Sequence, residues 1–154
     1  MQSRFVRARR SKESYVTPMP AFETRVIIRF EDADPAGIVF YPRAIALAHS
    51  VVEDLIRETE LGWEGWFGSR DLAAPVRHVE ADFLQPMHAG EKLQARAWVE
   101  KCGDTSVTFV VEIADGKCGL CARIHTVHVL VDRKTKQPVP LTSELRRALE
   151  PFKA

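Results

Sequence analysis

One long segment with helical periodicity constrains the fold of this chain more than any other feature. In RAIALAHSVVEDLIRETEL, apolar residues recur at helical spacing, namely Ile45, Ala48, Val52, Leu55 and Ile56. Pro42 precedes this segment and suits the first turn of a helix, because the N–H groups of the first turn have no intrahelical acceptor and the N–H that proline lacks is not needed there. The pattern therefore predicts one helix over about residues 42–60.

Segments typical of β-strands lie on both sides of this helix. FETRVIIRFE precedes it, and APVRHVEADF, EKLQARAWVEK, TSVTFVVEIAD and CGLCARIHTVHVLVD follow it. The links MHAG, CGD and DGK are short and rich in turn residues, so consecutive strands are predicted to pair as antiparallel hairpins. The order indicates an α+β domain in which one helix packs on a five-stranded antiparallel sheet.

Two shorter segments complete the pattern. WEGWFGSRDL is predicted to form a connecting turn of helix, and LTSELRRALEPF a short helix capped by Thr142 or Ser143. A single long helix cannot cover both faces of a five-stranded sheet, so the uncovered face or edge needs a partner. We therefore expect a homodimer or a homotetramer.

Composition narrows the function classes. The chain has 154 residues, the size of one domain, and its 22 Lys+Arg nearly balance 21 Asp+Glu. A chain with this charge balance lacks the excess of positive charge that is typical of nucleic-acid binding proteins. No apolar run in the sequence approaches the length that spans a membrane. Three cysteines indicate reduced thiols in a cytoplasmic protein. Residues 1–20 are rich in Arg and poor in acids, which is compatible with a targeting segment, but they are predicted to be a tail, solvated or lying against another subunit, before a domain at 21–154.

Two acids in the bend DADPAG, between the first strand and the helix, are the strongest functional signal. Asp32 and Asp34 lack the further ligands that a calcium loop requires, so a metal site is disfavoured. Either the acids shape the turn, or Asp34 is catalytic. A catalytic role is chemically reasonable because the first N–H groups of a helix are unpaired and can stabilise an oxyanion.

Other candidate motifs are weaker. Cys118 and Cys121 form a CxxC pair that begins a strand, and no second pair completes a zinc site. His125 and His128 fall on opposite faces of that strand and are poor joint ligands. His49 lies at the edge of the helix's apolar stripe, where most histidines are structural. It can pair with Glu53 and would touch substrate if the stripe faces an acyl cavity.

FEDADPAGIVFYP resembles the motif of the hotdog-fold acyl-CoA thioesterases, specifically the 4-hydroxybenzoyl-CoA thioesterase group. The matching positions run from Phe30 through Asp32, Asp34 and Gly37 to Pro42. A looser resemblance covers residues 22–150, and Pro86, Gly90 and Leu93 look like the family's hairpin between the second and third strands. The resemblance implies a sheet wrapped around one long central helix, with active sites at a dimer interface.

The resemblance also implies a set of residue roles. Asp34 would attack the thioester carbonyl or activate water, and the sequence does not choose between these routes. The backbone N–H of Tyr41 would be the oxyanion donor, and Gly37 would let the loop approach the thioester closely. Asp32 more plausibly shapes the loop. No metal or cofactor is expected, because the CoA thioester is the substrate.

His49 marks a departure from the 4-hydroxybenzoyl-specific enzymes, which resemble this chain but carry an acid at the matching helix position. Another aryl-CoA and a short or medium aliphatic acyl-CoA are therefore equally open as substrates. Two other functions are alternatives: a non-catalytic acyl-CoA or acyl-carrier binding protein, acting as a sensor or scaffold, and a hydratase or dehydratase. The acid at position 34 favours the thioesterase over the sensor, and the loop pattern of the hydratases is absent from the sequence.

Overall fold

A five-stranded antiparallel sheet packs on one long helix in the computed structural model, which describes residues 21–116 and 119–154. The predictions for the basic tail at 1–20 and for Cys118 lie outside the described residues. The elements are β1 (Phe22–Ile27), α1 (Tyr41–Glu58), α2 (Gly62–Trp66), β2 (Leu72–Ala73), β3 (Val76–Phe83), β4 (Lys92–Cys102), β5 (Ser106–Asp115), β6 (Gly119–Val129), β7 (Val131–Asp132) and α3 (Ser143–Leu149).

The long helix α1 buries one stripe against the sheet. Its buried residues recur at helical spacing and are Ala44, Ala48, Val51, Val52, Leu55 and Ile56. They pack on β4 and β5, whose inward residues such as Phe109 and Ile113 are fully buried. The apolar stripe of the helix therefore packs against the apolar faces of the strands in one core, as the sequence predicted.

The boundaries of the helices follow from local chemistry. The helix predicted at about 42–60 begins at Tyr41 and ends at Glu58, with Pro42 in its first turn. The predicted cap of the last helix is confirmed for Thr142, whose Oγ1 accepts a hydrogen bond from the N–H of Leu145 at 3.2 Å. None of the described helices combines the length and the apolar character needed to cross a lipid bilayer.

The strand order is β1-β4-β5-β6-β3, which corrects one prediction. The hairpins β4–β5 and β5–β6 form as predicted, but β3 pairs with β6 and not with β4. Both edges of β4 are occupied, by β1 on one side and by β5 on the other, so β3 joins the remaining edge. The predicted hairpin at Pro86, Gly90 and Leu93 is therefore wrong, and residues 84–91 cross from one edge of the sheet towards the other.

Strand β3 is an exposed edge. It pairs only with β6 in the part of the chain that the structure describes. Apolar side chains on it and directly after it are open to solvent, with exposed fractions of 42% for Val76, 38% for Val79, 47% for Phe83 and 45% for Leu84. An exposed apolar edge strand is a ready template for pairing with another chain.

Candidate active site

Asp34 occupies the first position of a tight turn between a short 3-10 turn at Phe30–Asp32 and α1. Its N–H donates to the carbonyl of Ile38 at 2.8 Å, and its own carbonyl accepts from the N–H of Gly37 at 2.9 Å. Gly37 has a φ of 78°, a conformation that favours glycine. The residues Pro-Ala-Gly therefore close the chain into a turn that places the Asp34 side chain at its start.

The carboxylate of Asp34 keeps one oxygen available. Its Oδ1 accepts a hydrogen bond from the N–H of Ala36 at 2.8 Å, which fixes the side chain over the turn. No donor among residues 21–116 and 119–154 bonds to Oδ2. A partly exposed carboxylate held in this way can attack a carbonyl carbon or accept a proton from water.

The start of α1 leaves one backbone donor unpaired. Phe40 donates its N–H to the carbonyl of Asp32 at 2.9 Å, Arg43 donates to the carbonyl of Phe40 at 2.8 Å, and Pro42 has no N–H. Tyr41 is the first residue of the helix, so its N–H has no intrahelical acceptor, and the described residues offer it none. This donor, aligned with the helix dipole, can stabilise an oxyanion.

Asp32 has a different environment from Asp34. It is 1% exposed, and its Oδ1 accepts from Arg43 Nε at 2.8 Å and Nη2 at 2.6 Å. Its Oδ2 accepts from the N–H of Arg29 at 2.8 Å. These bonds join the end of the first strand to the first turn of α1, in agreement with the interpretation that Asp32 shapes the loop. The sequence analysis did not identify Arg43 as the partner of Asp32, although a positive charge in the first turn of the predicted helix, close to two acids, could have indicated an ion pair.

The segment that crosses from β3 to β4 supports the Asp34 turn from the other side. Ile38 forms an isolated antiparallel bridge with His88. Val39 donates its N–H to the carbonyl of Met87 at 2.8 Å, and Met87 is 3% exposed. The segment predicted to be a hairpin instead holds the candidate catalytic turn against the core.

His49 lies on α1 eight residues after Tyr41, about 12 Å along the helix axis. The predicted pairing with Glu53 is present, since His49 Nε2 is 3.5 Å from Glu53 Oε1. The ring of His49 stacks on His128 at 6.1 Å between centroids and meets the edge of Phe67 at 6.0 Å. These rings belong to what we call the aromatic cluster, which comprises His49, Trp63, Trp66, Phe67, Phe109 and His128.

His128 is a fully buried member of the aromatic cluster. It is 1% exposed, its Nδ1 is 3.2 Å from the carbonyl of Ala74, and its Nε2 is 3.2 Å from Thr126 Oγ1. A carbonyl only accepts, so Nδ1 carries the proton and Nε2 accepts from the hydroxyl. Sequence analysis missed this role, although inward residues at alternate positions of β6 (Ala122, Ile124, Thr126) lead to it.

The pKa of His128 is lowered from 6.5 to about 4, mainly by burial and to a smaller extent by neighbouring His49, although the hydrogen bond to the carbonyl of Ala74 acts in the opposite direction. The unfolded chain therefore binds a proton at this residue between pH 6.5 and 4, and the folded chain does not. The stabilisation from the neutral imidazole is complete above pH 6.5 and is lost as the pH falls through about 4, a change of roughly 3 kcal/mol. We expect chemical denaturation at pH 7.5 and 4.5 to show a smaller pH dependence for His128→Gln than for wild type.

The control for this titration is His125→Gln, because the His125 side chain is 29% exposed on the other face of the same strand. Its pH dependence should match that of the wild type. An equal pH dependence of all three proteins would contradict the assignment of acid sensitivity to His128.

The predicted site residues fall into two groups. Asp34, Gly37 and Tyr41 lie together at the junction of the turn and α1, whereas His49 lies two helical turns further on, in the aromatic cluster. A groove of about 510 Å³ lies elsewhere, at the β5–β6 end of the sheet. Its lining includes Gln94 and Arg96, which alternate with the buried residues of β4 and so lie on the face away from α1. That groove contains none of the predicted site residues.

Comparisons with known proteins identify the family of this chain. Residues 28–149 match the sequence model of the thioesterase-like superfamily. A 1,4-dihydroxy-2-naphthoyl-CoA hydrolase from Trichodesmium erythraeum is 28% identical over 134 residues, which cover 86% of this chain and 97% of that protein. The enzyme of the same name from Nostoc punctiforme is 28% identical over 125 residues, covering 80% of this chain and 82% of its own.

Solved structures share the fold. A 1,4-dihydroxy-2-naphthoyl-CoA thioesterase from Synechocystis superposes with a TM-score of 0.76 at 23% identity, covering 84% of this chain and 95% of its own. A thioesterase superfamily protein from Jannaschia superposes with a TM-score of 0.79 at 24% identity, covering 89% of this chain and 96% of its own. The predicted hotdog fold, with its five-stranded antiparallel sheet, is confirmed. The predicted class, a thioester hydrolase, is confirmed as well, and the chain belongs to the thioesterase-like superfamily.

Proposed function

We propose that this protein hydrolyses aryl-CoA thioesters to the free acid and CoA. The observation that carries the proposal is the junction between the turn and α1. There, the Asp34 carboxylate has a free oxygen, and the unpaired N–H of Tyr41 lies at the first position of the helix. Acyl transfer needs these two groups together, a nucleophile or base and a donor for the oxyanion.

The reaction would place the thioester carbonyl oxygen on the N–H of Tyr41. Asp34 would then either attack the carbonyl carbon or take a proton from a water molecule that attacks it. In both routes the C–S bond breaks, CoA leaves as the thiol after protonation, and water supplies the oxygen of the new acid. Gly37 has open space where a side chain would lie, so a substrate could approach the turn closely.

An aromatic acyl group is supported by the aromatic cluster and by the naphthoyl-CoA substrate that the relatives' names state. The test is release of free CoA thiol from a panel of aryl-CoA and aliphatic acyl-CoA thioesters. We expect the highest kcat/KM for aryl-CoA. Binding of these thioesters without thiol release would contradict the proposal and favour the sensor alternative.

His49 is expected to contribute to selectivity more than to stability. Its side chain is 38% exposed, so its removal leaves no large cavity. We expect His49→Ala to change the order of preference across the acyl-CoA panel while the free energy of unfolding changes by about 1 kcal/mol or less. Glu53→Ala removes the ion-pair partner and serves as the control. An unchanged order of preference in His49→Ala would remove His49 from the acyl site.

We further propose that the protein is a homodimer joined through β3, so that two sheets become one. The support is the exposed edge of β3 with its apolar side chains Val79 and Phe83. Light scattering coupled to gel filtration should give a mass at least twice that of the 17.4 kDa chain. Val79→Lys should shift the mass towards the monomer, whereas Glu80→Lys, on the opposite face of the strand, should do so less. A monomeric wild type would contradict this proposal.

A further inference from the structure

The indole N–H of Trp66 is a buried donor without a partner. Within the described residues it is the one buried side-chain nitrogen or oxygen that makes no hydrogen bond, and Trp66 is 4% exposed. Buried Trp N–H groups normally find an acceptor, and an unpaired one destabilises the fold. Phenylalanine would fill the same region without this penalty. The donor therefore points to an acceptor that residues 21–116 and 119–154 do not supply.

The position of Trp66 connects this donor to the candidate acyl site. Its ring contacts Phe67 at 6.4 Å and His128 at 6.1 Å between centroids. Both of those rings also contact His49, at 6.0 Å and 6.1 Å respectively. Trp66 thus lies one ring deeper than His49, which is partly open to solvent. Phe67 and His128 therefore link the buried Trp66 to the partly exposed His49.

The neighbouring side chains cannot satisfy the donor. His128 uses both ring nitrogens, one to the carbonyl of Ala74 and the other to Thr126 Oγ1, each at 3.2 Å. Phe67 and Phe109, which contacts Trp66 at 5.7 Å, carry no oxygen or nitrogen in their side chains. These three side chains therefore leave the donor available to a bound molecule, and the surrounding rings favour a planar aromatic one.

We propose that Trp66 donates a hydrogen bond to an oxygen on the aromatic acyl group of the substrate. Trp66 then selects oxygen-substituted aryl thioesters over unsubstituted ones. The inference rests on the proposed aryl-CoA thioesterase function and names its substrate class more closely. A site with a buried donor discriminates against an analogue that lacks the acceptor, because the donor then remains unpaired.

The experiment compares Trp66→Phe with wild type on naphthoyl-CoA and on hydroxylated naphthoyl-CoA. The substitution keeps an aromatic ring and removes the donor. We expect wild type to prefer the hydroxylated thioester, and Trp66→Phe to lower its kcat/KM about 10-fold while the value for naphthoyl-CoA changes less than about 2-fold. Trp98→Phe is the matched control, since Trp98 is similarly buried, at 5% exposed, and lies outside the aromatic cluster. In this control, the ratio of kcat/KM for hydroxylated naphthoyl-CoA to kcat/KM for naphthoyl-CoA should equal the wild-type ratio.

A second measurement does not depend on the folding of the variant. In the wild-type protein labelled with ¹⁵N, the indole N–H resonance of Trp66 should shift on addition of hydroxynaphthoate and not on addition of naphthoate. Equal losses of kcat/KM on both thioesters, or an unchanged indole resonance, would overturn the inference while leaving the thioesterase function intact. If wild type releases no thiol from any acyl-CoA, the proposed function fails and this inference falls with it.

Discussion

Asp34→Asn is expected to lower kcat for acyl-CoA hydrolysis by about 10²–10⁴-fold, the range that a positioned base contributes, or by more if Asp34 is the nucleophile. The fold should be unaffected for a geometric reason. The Asp34 side chain makes one hydrogen bond among the described residues, from the N–H of Ala36 to Oδ1, and the amide oxygen of asparagine can accept the same bond. Thiol release under saturating substrate and thermal unfolding of the same samples measure the two effects.

The outcome that would contradict this assignment is a correctly folded Asp34→Asn or Asp34→Ala protein with near-wild-type turnover. Retention of the oligomeric mass shows that a loss of activity is chemical and not a failure of assembly. Mass spectrometry of wild type incubated with substrate, with the folded variant as the control, would also show whether an acyl group becomes attached to Asp34. That result would separate the nucleophile route from the general-base route.

Asp32→Asn should have the opposite profile, with a loss of stability of about 1–3 kcal/mol. The physical reason is that both oxygens of Asp32 accept hydrogen bonds in a buried environment, from Arg43 and from the N–H of Arg29. Asparagine turns one of those oxygens into an NH₂ group that faces a donor. Urea denaturation measures the change, and we expect kcat to fall as well because the turn loses its anchor on α1.

Glu31→Gln is the matched control for this prediction. Glu31 Oε1 is 3.6 Å from the same guanidinium of Arg43, but its side chain is 70% exposed. An exposed ion pair contributes about 0–1 kcal/mol, so Glu31→Gln should be close to neutral. Equal stability losses at positions 31 and 32 would show that burial of Asp32 does not distinguish the two acids.

Much of the fold could be predicted because its signals are local. The stripe of Ala48, Val52 and Leu55 predicts α1 within two residues at each end, since a helix is defined by contacts three and four residues apart. The hydroxyl of Thr142 predicts the start of α3 for the same reason. The alternating segments predict the strands, because each strand has one face towards the core.

Strand partners could not be predicted in the same way. The short link MHAG favoured a β3–β4 hairpin, yet β3 pairs with β6. The choice depends on which strand edges remain free after β1 and β5 have taken both edges of β4, and β1 is far from β4 in the sequence. This difference also matters for function, because the crossing segment supports the Asp34 turn through Met87 and His88.

The candidate site divides along the same line. The sequence by itself determined that Asp34, Gly37 and Tyr41 lie together, because they are neighbours along the chain and the turn and helix start are local structures. Only the tertiary structure decided that Asp32 is buried under Arg43, and that His49 stacks on a neutral His128 beside the unpaired donor of Trp66. Those contacts join residues from α1, α2 and β6, and burial and hydrogen-bond satisfaction arise only when such distant segments pack together.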